Sequence, residues 1–364
     1  MNPQSADQVN ATRFWVCCRA ILVVLALLSG HAVMSESEAA DQVTRTADGA
    51  TIRGEFTEMT KESVTIQTSG GKKETVSVAD IRNLQFDQEP PILAQARSNE
   101  RSGVFDAALE KYEQVRSESD QKERRLRTEV DFLIARTRVR RALADSGSRD
   151  TAIAAIQEFR EKNPGNFRYL EATMLHAAIV AETGDRAAAE VLLQEVRSSS
   201  VRGFQLQAGV QLGRIQLDQG DAEKAMTAFE DVIAATQNDA ADRSVHFEAM
   251  LGKSLCLQKQ SKQPEAVQVL DEIIERAASE DSRLLAEAWL RKGSCLQETN
   301  QPKAALMAYL HVDVLYSSEP AEHAEALFHL SKLWEETKRP DRAADADARL
   351  KEKYPNSSWA VQNR

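Results

Sequence analysis

Seven alanines recur along this chain of 364 residues at spacings of 36 to 44 residues. They are Ala108, Ala152, Ala189, Ala225, Ala266, Ala305 and Ala343. A turn residue lies five positions before each alanine: Gly103, Gly147, Gly184, Gly220, Ser261, Asn300 and Lys338. A large side chain follows six of them by four positions: Tyr112, Ile156, Leu193, Phe229, Leu270 and Tyr309. Self-similarity at such a period is typical of a solenoid, in which one structural unit is stacked repeatedly. We therefore predict an extended surface and not a closed catalytic pocket.

The later repeats carry the most complete pattern. One of them reads Trp289, Gly293, Asn300, Ala305 and Tyr309 in order, and prolines end two others. This order of Trp or Leu, Gly, turn residue, Ala and aromatic resembles the tetratricopeptide repeat, over about residues 90 to 356. The resemblance implies a mainly α fold, an α-solenoid of about seven helical hairpins. The second unit departs from the pattern, because Arg136 and Arg140 stand where Trp and Gly are expected.

Residues 41–88 have a different period, that of β-strands. Five strand-like runs cover residues 42–46, 50–57, 63–68, 74–78 and 81–86. Asp48-Gly49 and Ser69-Gly70-Gly71 separate some of these runs, and such pairs favour hairpin turns. We predict a small SH3-like β domain here, which packs against the first helices because so small a core is marginal alone. The helical repeat domain then covers residues 89–364.

The N-terminus has the pattern of an export signal. Arg13 and Arg19 precede the apolar run Ala20–Leu28, and small residues follow. A positive region, a short apolar core and a small-residue site are typical of a secretory signal peptide, here residues 1–32. The alternative is a retained membrane anchor over residues 14–34, which would place Arg19 inside the bilayer at a cost. Both interpretations predict an exported protein, periplasmic or extracytoplasmic, with possible membrane association through this segment.

Cys256 and Cys295 occupy the same offset in adjacent repeats, ten positions before Ala266 and Ala305. A disulfide between neighbouring helices is one interpretation, which export would permit. Buried free thiols are the other. Helix axes about 8–10 Å apart and the Cα separation of under about 7 Å that a disulfide requires favour free thiols.

The resemblance also implies where a partner would bind, since tetratricopeptide arrays generally bind extended peptides along the first helix of each pair. We call the seven recurring alanines the marker alanines. By their offset from these alanines, one row of candidates is Gln207, Glu248, Glu287 and Glu325. A second row is Arg214, Leu255, Ser294 and Lys332, and a third is Gln258, Gln297 and Glu335. Repeating Glu and Gln would form a polar ladder able to meet backbone amides or basic side chains. The alternative is that each charged position is simply solvated.

A basic segment opposes the overall net charge of -10. Residues 122–168 hold twelve basic and seven acidic side chains, and the densest cluster is Arg136, Arg138, Arg140 and Arg141. One interpretation is contact with membrane headgroups, an acidic wall polymer or an acidic partner. The other is a solvated helix whose arginines pair with Glu and Asp of neighbouring helices. Nucleic acid is not expected, because the cluster lacks interleaved aromatic residues.

No motif in the sequence indicates an enzyme, a cofactor or a metal site. The six histidines show no metal-ligand spacing, and there is no nucleophile elbow or phosphate-binding glycine loop. The sequence thus predicts a non-enzymatic scaffold that binds a protein or peptide partner. The ending Lys353-Tyr354-Pro355-Asn356 resembles repeat termini of exported bacterial proteins, which suggests a role in cell-envelope assembly or organisation. Two alternatives remain: a membrane-anchored adaptor, or a β domain that binds the ligand while the solenoid acts as a spacer.

Overall fold

The computed structural model describes residues 40–119, 124–144, 148–237 and 239–362. The predicted signal peptide over residues 1–32 and the alternative anchor over residues 14–34 lie outside the described residues. Residues from Asp41 onward form one compact unit. This unit consists of a five-stranded antiparallel sheet followed by an array of helices.

The strands of the sheet are β1 (Asp41–Arg45), β2 (Thr51–Met59), β3 (Ser63–Gln67), β4 (Lys73–Ser77) and β5 (Ile81–Gln85). All five predicted strands are present, with ends that differ by one or two residues. Their order in the sheet is β4-β3-β2-β1-β5. A 3-10 turn over Val78–Asp80 leads into β5, which returns to pair with β1. The first and last strands of the chain segment therefore lie side by side.

The sheet curls because β2 changes partner along its length. Its first half pairs with β1 up to Gly54, and its second half pairs with β3 from Glu55 onward. A Cβ atom at Gly54 would lie only 2.0 Å from the carbonyl oxygen of Gln67. Glycine is therefore required at the point where β2 leaves one neighbour for the other. The resulting small, strongly curled sheet is the predicted SH3-like β domain.

The helices form seven consecutive hairpins and a short final helix within the described residues. The first helices of the hairpins are α1 (Pro91–Arg101), α3 (Arg124–Ala144), α5 (Tyr169–Glu182), α7 (Arg202–Asp218), α9 (Arg243–Lys259), α11 (Ser282–Glu298) and α13 (Pro320–Glu336). The second helices are α2 (Phe105–Glu118), α4 (Arg149–Lys162), α6 (Arg186–Arg197), α8 (Ala222–Thr236), α10 (Gln263–Arg276), α12 (Pro302–Leu315) and α14 (Pro340–Lys353). The final helix is α15 (Ser358–Gln362). The predicted α-solenoid of seven hairpins is confirmed.

The marker alanines lie at the same place in every hairpin. Each of the seven is on a second helix, and each is buried. The six large side chains that follow them by four positions are also buried. Alanine at the contact lets the two helices approach closely, and the large side chain one turn later fills the space between hairpins. The sequence period is therefore the period of the packing.

The turn residues before the alanines take the left-handed conformation. Gly103, Gly184 and Gly220 have φ values of 75°, 90° and 85°, and Gly147 lies outside the described residues. The last three hairpins place Ser261, Asn300 and Lys338 at φ values of 60°, 57° and 59°. A side chain in this conformation is strained, which is why glycine usually ends a helix in this way.

Replacing Lys338 with glycine should therefore stabilise the protein. Lys338→Gly is expected to raise the free energy of unfolding by about 0.5–1 kcal/mol, because it removes the strain at an exposed turn that makes no other demand on the side chain. The measurement is the urea midpoint of the wild type and the variant. Lys338→Ala is the control, since it keeps the strain; an equal gain from alanine would contradict the explanation.

The sheet and the first helices share one hydrophobic core. Val43 and Phe56 of the sheet belong to the same cluster of buried side chains as Leu93, Tyr112 and Phe132 of the helices. Polar contacts also cross this boundary: Arg125 at the start of α3 donates to the carbonyl oxygen of Phe56 at 2.9 Å. The β domain is thus built into the N-terminal end of the solenoid.

Cys256 of α9 and Cys295 of α11 are free and buried. Burial raises the pKa of each thiol to about 11. Of the two interpretations of these cysteines, the structure therefore has the buried free thiols.

Candidate functional site

A groove lies across the first helices of the fourth to sixth hairpins. Helices α7, α9 and α11 pack side by side, and each contributes lining residues. The loop that precedes α11 and the residue that precedes α13, Glu319, complete the wall. The cavity has a volume of about 750 Å³ and is open to solvent. It is therefore an open groove that spans three hairpins and not an enclosed cavity.

The floor of the groove is made of leucines. Leu217 of α7, Leu255 of α9 and Leu284 of α11 are half-buried, and Leu251 lies below them in the core. Leu217, Leu255 and Leu284 are not in register from hairpin to hairpin, because each lies at a different offset from the marker alanine of its hairpin. Together they give the groove an apolar base that water covers when nothing is bound.

The rim of the groove is acidic. Six of its lining residues are carboxylates and two are arginines: Asp218, Glu248, Glu280, Asp281, Glu287 and Glu319, with Arg214 and Arg283. Arg214 lies 3.6 Å from Glu248, and Arg283 lies 3.4 Å from Glu322 on α13. Within the described part of the chain, Asp218, Asp281, Glu287 and Glu319 have no ion-pair partner. The groove therefore carries a net negative charge that the protein itself leaves uncompensated.

The predicted row of glutamates is brought together only in part. Glu248 and Glu287 line the groove. Glu325 is on the neighbouring helix α13, but its carboxylate is mostly buried and accepts a hydrogen bond from Arg291 at 2.9 Å. Burial raises the pKa of Glu325, and Arg291 offsets this only partly. Glu325 thus joins two hairpins, while Glu248 and Glu287 face the open groove.

Another predicted position, Gln258, contacts the next hairpin. Gln258 donates to Ser294 at 2.8 Å and to Glu298 at 2.7 Å. These bonds connect α9 to α11 and use the Gln258 amide within the protein. Two predicted residues of the second row line the groove: Arg214, which pairs with Glu248, and Leu255.

Gln297 and Lys332 lie beyond the groove. The Gln297 side chain accepts a hydrogen bond from the hydroxyl of Tyr309 at 3.4 Å. The Lys332 ammonium lies 5.7 Å from the centre of the Phe328 ring, on its own helix. Gln297, Lys332 and Glu325 are thus separate from the groove. The predicted positions that the structure brings together there are Arg214, Glu248, Leu255 and Glu287.

Sequence reasoning overlooked the acidic residues that precede the first helices. Asp242, Asp281 and Glu319 all lie 24 positions before a marker alanine. They stand directly before α9, α11 and α13, and none of their side chains caps its helix. The same alanine spacing that gave the glutamate row would have found this second acidic row.

The predicted basic cluster is paired within the protein. Arg136 and Arg140 both bind Glu100 of α1, which is buried; the guanidinium nitrogens of Arg136 lie 2.8 Å from both carboxylate oxygens. These two arginines replace the expected Trp and Gly of the second hairpin. They satisfy a carboxylate of the first hairpin where other repeats pack apolar groups.

Arg138 and Arg141 pair at the surface. Arg138 lies 3.0 Å from Glu113, and Arg141 lies 2.6 Å from Asp106, both on α2. All four arginines thus have the acidic partners on neighbouring helices that the second interpretation expected. Contact with an anionic surface stays a prediction.

A second cleft, of about 890 Å³, lies where the β domain meets the helices. Thr57 and Glu58 of β2 line one side, and Arg125 of α3 and the turn around Pro164 line the other. Asp41 also lines the cleft, and its carboxylate accepts hydrogen bonds from the backbone nitrogens of Phe56 and Asp87, each at 2.8 Å. This is the part of the β domain with the shape of a ligand site.

Two kinds of feature are absent among the described residues. No group of three or more His, Cys, Asp or Glu side chains there is arranged to hold a metal ion. No helix there is long and apolar enough to cross a membrane.

An array of helical hairpins with an open groove along its first helices defines a repeat scaffold. Comparison with protein families agrees: residues 210–282 and residues 325–357 match models of the tetratricopeptide repeat. These two segments of the chain therefore carry tetratricopeptide repeats. Repeats of this family are typically non-catalytic modules that bind other proteins, so the chain belongs to the class of protein-interaction scaffolds.

Solved structures with the same fold are distant in sequence. A tetratricopeptide repeat protein from Parabacteroides merdae superposes with a TM-score of 0.54 and 12% identity, over 74% of this chain and 95% of that chain. The apo form of RapI superposes with a TM-score of 0.51 and 10% identity, over 74% of this chain and 78% of that chain. At such identities the similarity concerns the fold alone. No curated protein sequence matches this one.

Proposed function

We propose that the protein is an exported, non-enzymatic scaffold that binds an extended segment of a partner protein in the groove of α7, α9 and α11, in the assembly or organisation of a bacterial cell envelope. The observation that carries the binding part is the groove itself. It is lined by half-buried leucines that keep part of their surface exposed, and by carboxylates that have no ion-pair partner among the described residues. The pattern of Arg13, Arg19 and Ala20–Leu28 supports export.

The rigidity of the array favours this kind of binding. Each hairpin is held to the next by buried large side chains and by bonds such as Gln258 to Ser294 and Glu325 to Arg291. A partner segment that binds a preformed groove has to order only itself, which lowers the entropic cost of association.

Crosslinking in intact cells tests the proposal. A photoreactive amino acid in place of Ser244, which lines the groove, is expected to capture one discrete partner, whereas the same group in place of Glu265 on the second helix α10 is not. The partner is identified by mass spectrometry and purified. The same cells are fractionated: a shortened protein in the carbonate-soluble exported fraction agrees with the proposal, and a full-length protein in the membrane pellet favours the anchored adaptor.

Calorimetry with the purified partner then decides whether the groove is the site. Glu248→Ala/Glu287→Ala is expected to weaken binding by about tenfold or more, about 1.4 kcal/mol, without lowering the thermal midpoint. Glu325→Ala is left out of this variant because it would break the bond to Arg291. Unchanged affinity of the double variant would exclude the groove as the binding site.

The second cleft supports one alternative, in which the β domain binds the ligand. Because the sheet shares its core with the helices, separate fragments are not suitable for testing it, and a surface variant of the whole chain is needed. Glu58 is exposed and lines this cleft but not the groove. If Glu58→Arg abolishes binding of the partner and the double groove variant still binds it, the binding site is the cleft of the β domain.

A further inference from the structure

We infer that the partner segment of the groove is basic and apolar together: lysine or arginine side chains that flank at least one large apolar side chain. This inference rests on the proposed function and adds the chemistry of the partner. Two independent features of the same groove carry it, the leucine floor and the uncompensated negative rim. A protein segment is the occupant that meets both.

The floor requires an apolar group. Leu255 and Leu284 come from adjacent first helices and remain half-exposed in the groove. The next hairpin has the polar Ser294 at the position that corresponds to Leu255. The fold therefore tolerates a small polar residue there, and the leucine adds an apolar contact area beyond what packing needs. Covering this area with a partner side chain removes apolar surface from water.

The rim requires positive charge. The two arginines of the groove already face carboxylates, Arg214 at 3.6 Å from Glu248 and Arg283 at 3.4 Å from Glu322. Asp281, Glu287 and Glu319 come from two consecutive hairpins and have no such partner within the described residues. Basic side chains of a bound segment would supply the missing charge, and an acidic segment would be repelled. Exposed charges of this kind mainly determine selectivity and the rate of association.

The carboxylates do not form a metal site. They are spread over the end of α7, the loop before α11 and the residue before α13, and no metal-binding group is present among the described residues. A divalent cation would need several carboxylate oxygens at 2.3–2.6 Å from one point. Separate positive charges along a chain fit this spread better than a single ion.

Fluorescence anisotropy with synthetic peptides tests the inference. The probes are a labelled Lys/Leu peptide, its Glu/Leu counterpart, and a Lys/Gly peptide of the same charge without leucine. The full chain is expected to bind the Lys/Leu peptide at least about tenfold tighter than either other peptide, a difference of about 1.4 kcal/mol. Equal binding of the Lys/Leu and Glu/Leu peptides would overturn the charge part. Equal binding of the Lys/Leu and Lys/Gly peptides would overturn the apolar part.

Matched variants separate the groove from the overall negative charge of the protein. Asp281→Lys/Glu287→Lys is expected to weaken the Lys/Leu peptide by about tenfold or more. Glu265→Lys/Glu275→Lys makes the same charge change on exposed positions of α10 and should leave binding unchanged. An equal loss in both variants would show non-specific attraction and overturn the inference. Leu255→Ser, which copies the residue of the next hairpin, should weaken the Lys/Leu peptide and leave the Lys/Gly peptide unaffected.

The failure of this inference differs from the failure of the proposed function. If the partner crosslinks to the groove and loses affinity in Glu248→Ala/Glu287→Ala, but the Lys/Leu peptide binds no better than the Glu/Leu peptide, then the groove is the site and its partner is not basic. If no partner crosslinks to the groove and no peptide binds there, both are wrong.

Discussion

Glu100→Ala is expected to destabilise the protein by about 3–5 kcal/mol, because it leaves the largely buried Arg136 guanidinium without its main partner. The Glu100 carboxylate is 1% exposed and accepts four hydrogen bonds, two from Arg136 and one each from Arg140 and Tyr112. Alanine would leave the Arg136 guanidinium with only Glu171, at 3.5 Å. The measurement is the urea midpoint followed by circular dichroism.

Glu113→Ala is the matched control for this prediction. It removes the same type of side chain from a pair with another arginine of α3, but both partners are exposed to solvent. Exposed pairs contribute about 0–1 kcal/mol, so the control should remain close to the wild type. An effect of Glu100→Ala as small as that of Glu113→Ala would contradict the role of the buried pair.

The destabilisation caused by Glu100→Ala should also become smaller at low pH. Burial raises the pKa of Glu100, but the hydrogen bonds and charge of Arg136, with Tyr112 and Arg140, outweigh burial and hold the pKa below its ordinary value of 4.5. A carboxylate with a lowered pKa in the folded state stabilises the protein fully above its ordinary pKa, and this contribution is lost as the pH falls below it. The difference between wild type and Glu100→Ala should therefore shrink below pH 4.5.

Gly252→Ala should destabilise the protein although alanine is the better helix former. A Cβ atom at Gly252 of α9 would lie 2.3 Å from the ring of Phe229. The ring cannot move away, because Gly213 of α7, in the ring's own hairpin, also packs closely against it. A Cβ atom at Gly213 would lie 2.7 Å from the same ring. Overpacking of this kind costs about 1–3 kcal/mol or more, against a gain of about 0.5–1 kcal/mol from helix propensity. Thermal unfolding followed by circular dichroism should show a lower midpoint.

Two comparisons make this prediction specific. Gly165→Ala changes the same residue where no atom lies within 4 Å of the new Cβ, so the thermal midpoint should stay near that of the wild type. Phe229→Leu placed in the Gly252→Ala background removes the ring and should recover part of the loss. If the double variant is less stable than the sum of its single changes, steric pressure on the ring is not the cause.

The period of the sequence was sufficient to predict the array of hairpins, because the same contact between helices is repeated in each hairpin. Ala225 and Phe229 carry the helix-to-helix and hairpin-to-hairpin contacts, and their counterparts in the other repeats lie at matching positions. The sequence predicted the second hairpin and offered pairing of its arginines with neighbouring acidic residues as one interpretation, but it could not identify Glu100 as the partner. The pairing of Arg136 and Arg140 depends on Glu100 in a different hairpin, and no local pattern indicates that Glu100 is buried.

The groove was predicted in part for a similar reason. Glu248 and Glu287 have a periodic position on the first helices, which the alanine spacing reveals. Whether such a position faces the groove or a neighbour depends on the side chain beside it. Glu325 shares the position but meets Arg291, so it is withdrawn from the groove. Asp281 and Glu319 were overlooked because the prediction considered helix positions only, and these residues stand just before their helices.

The hydrophobic core that joins the sheet to the first helices has a mechanical consequence. One continuous cluster of buried side chains runs from Val43 in the sheet to Val201 before α7, whereas the later hairpins are held by four smaller clusters. In repeat arrays each unit is stabilised chiefly by its nearest neighbours. We therefore expect the β domain and the first two hairpins to move as one rigid body. The groove lies beyond this body, so a change in the β domain would reach it only through the hairpins in between.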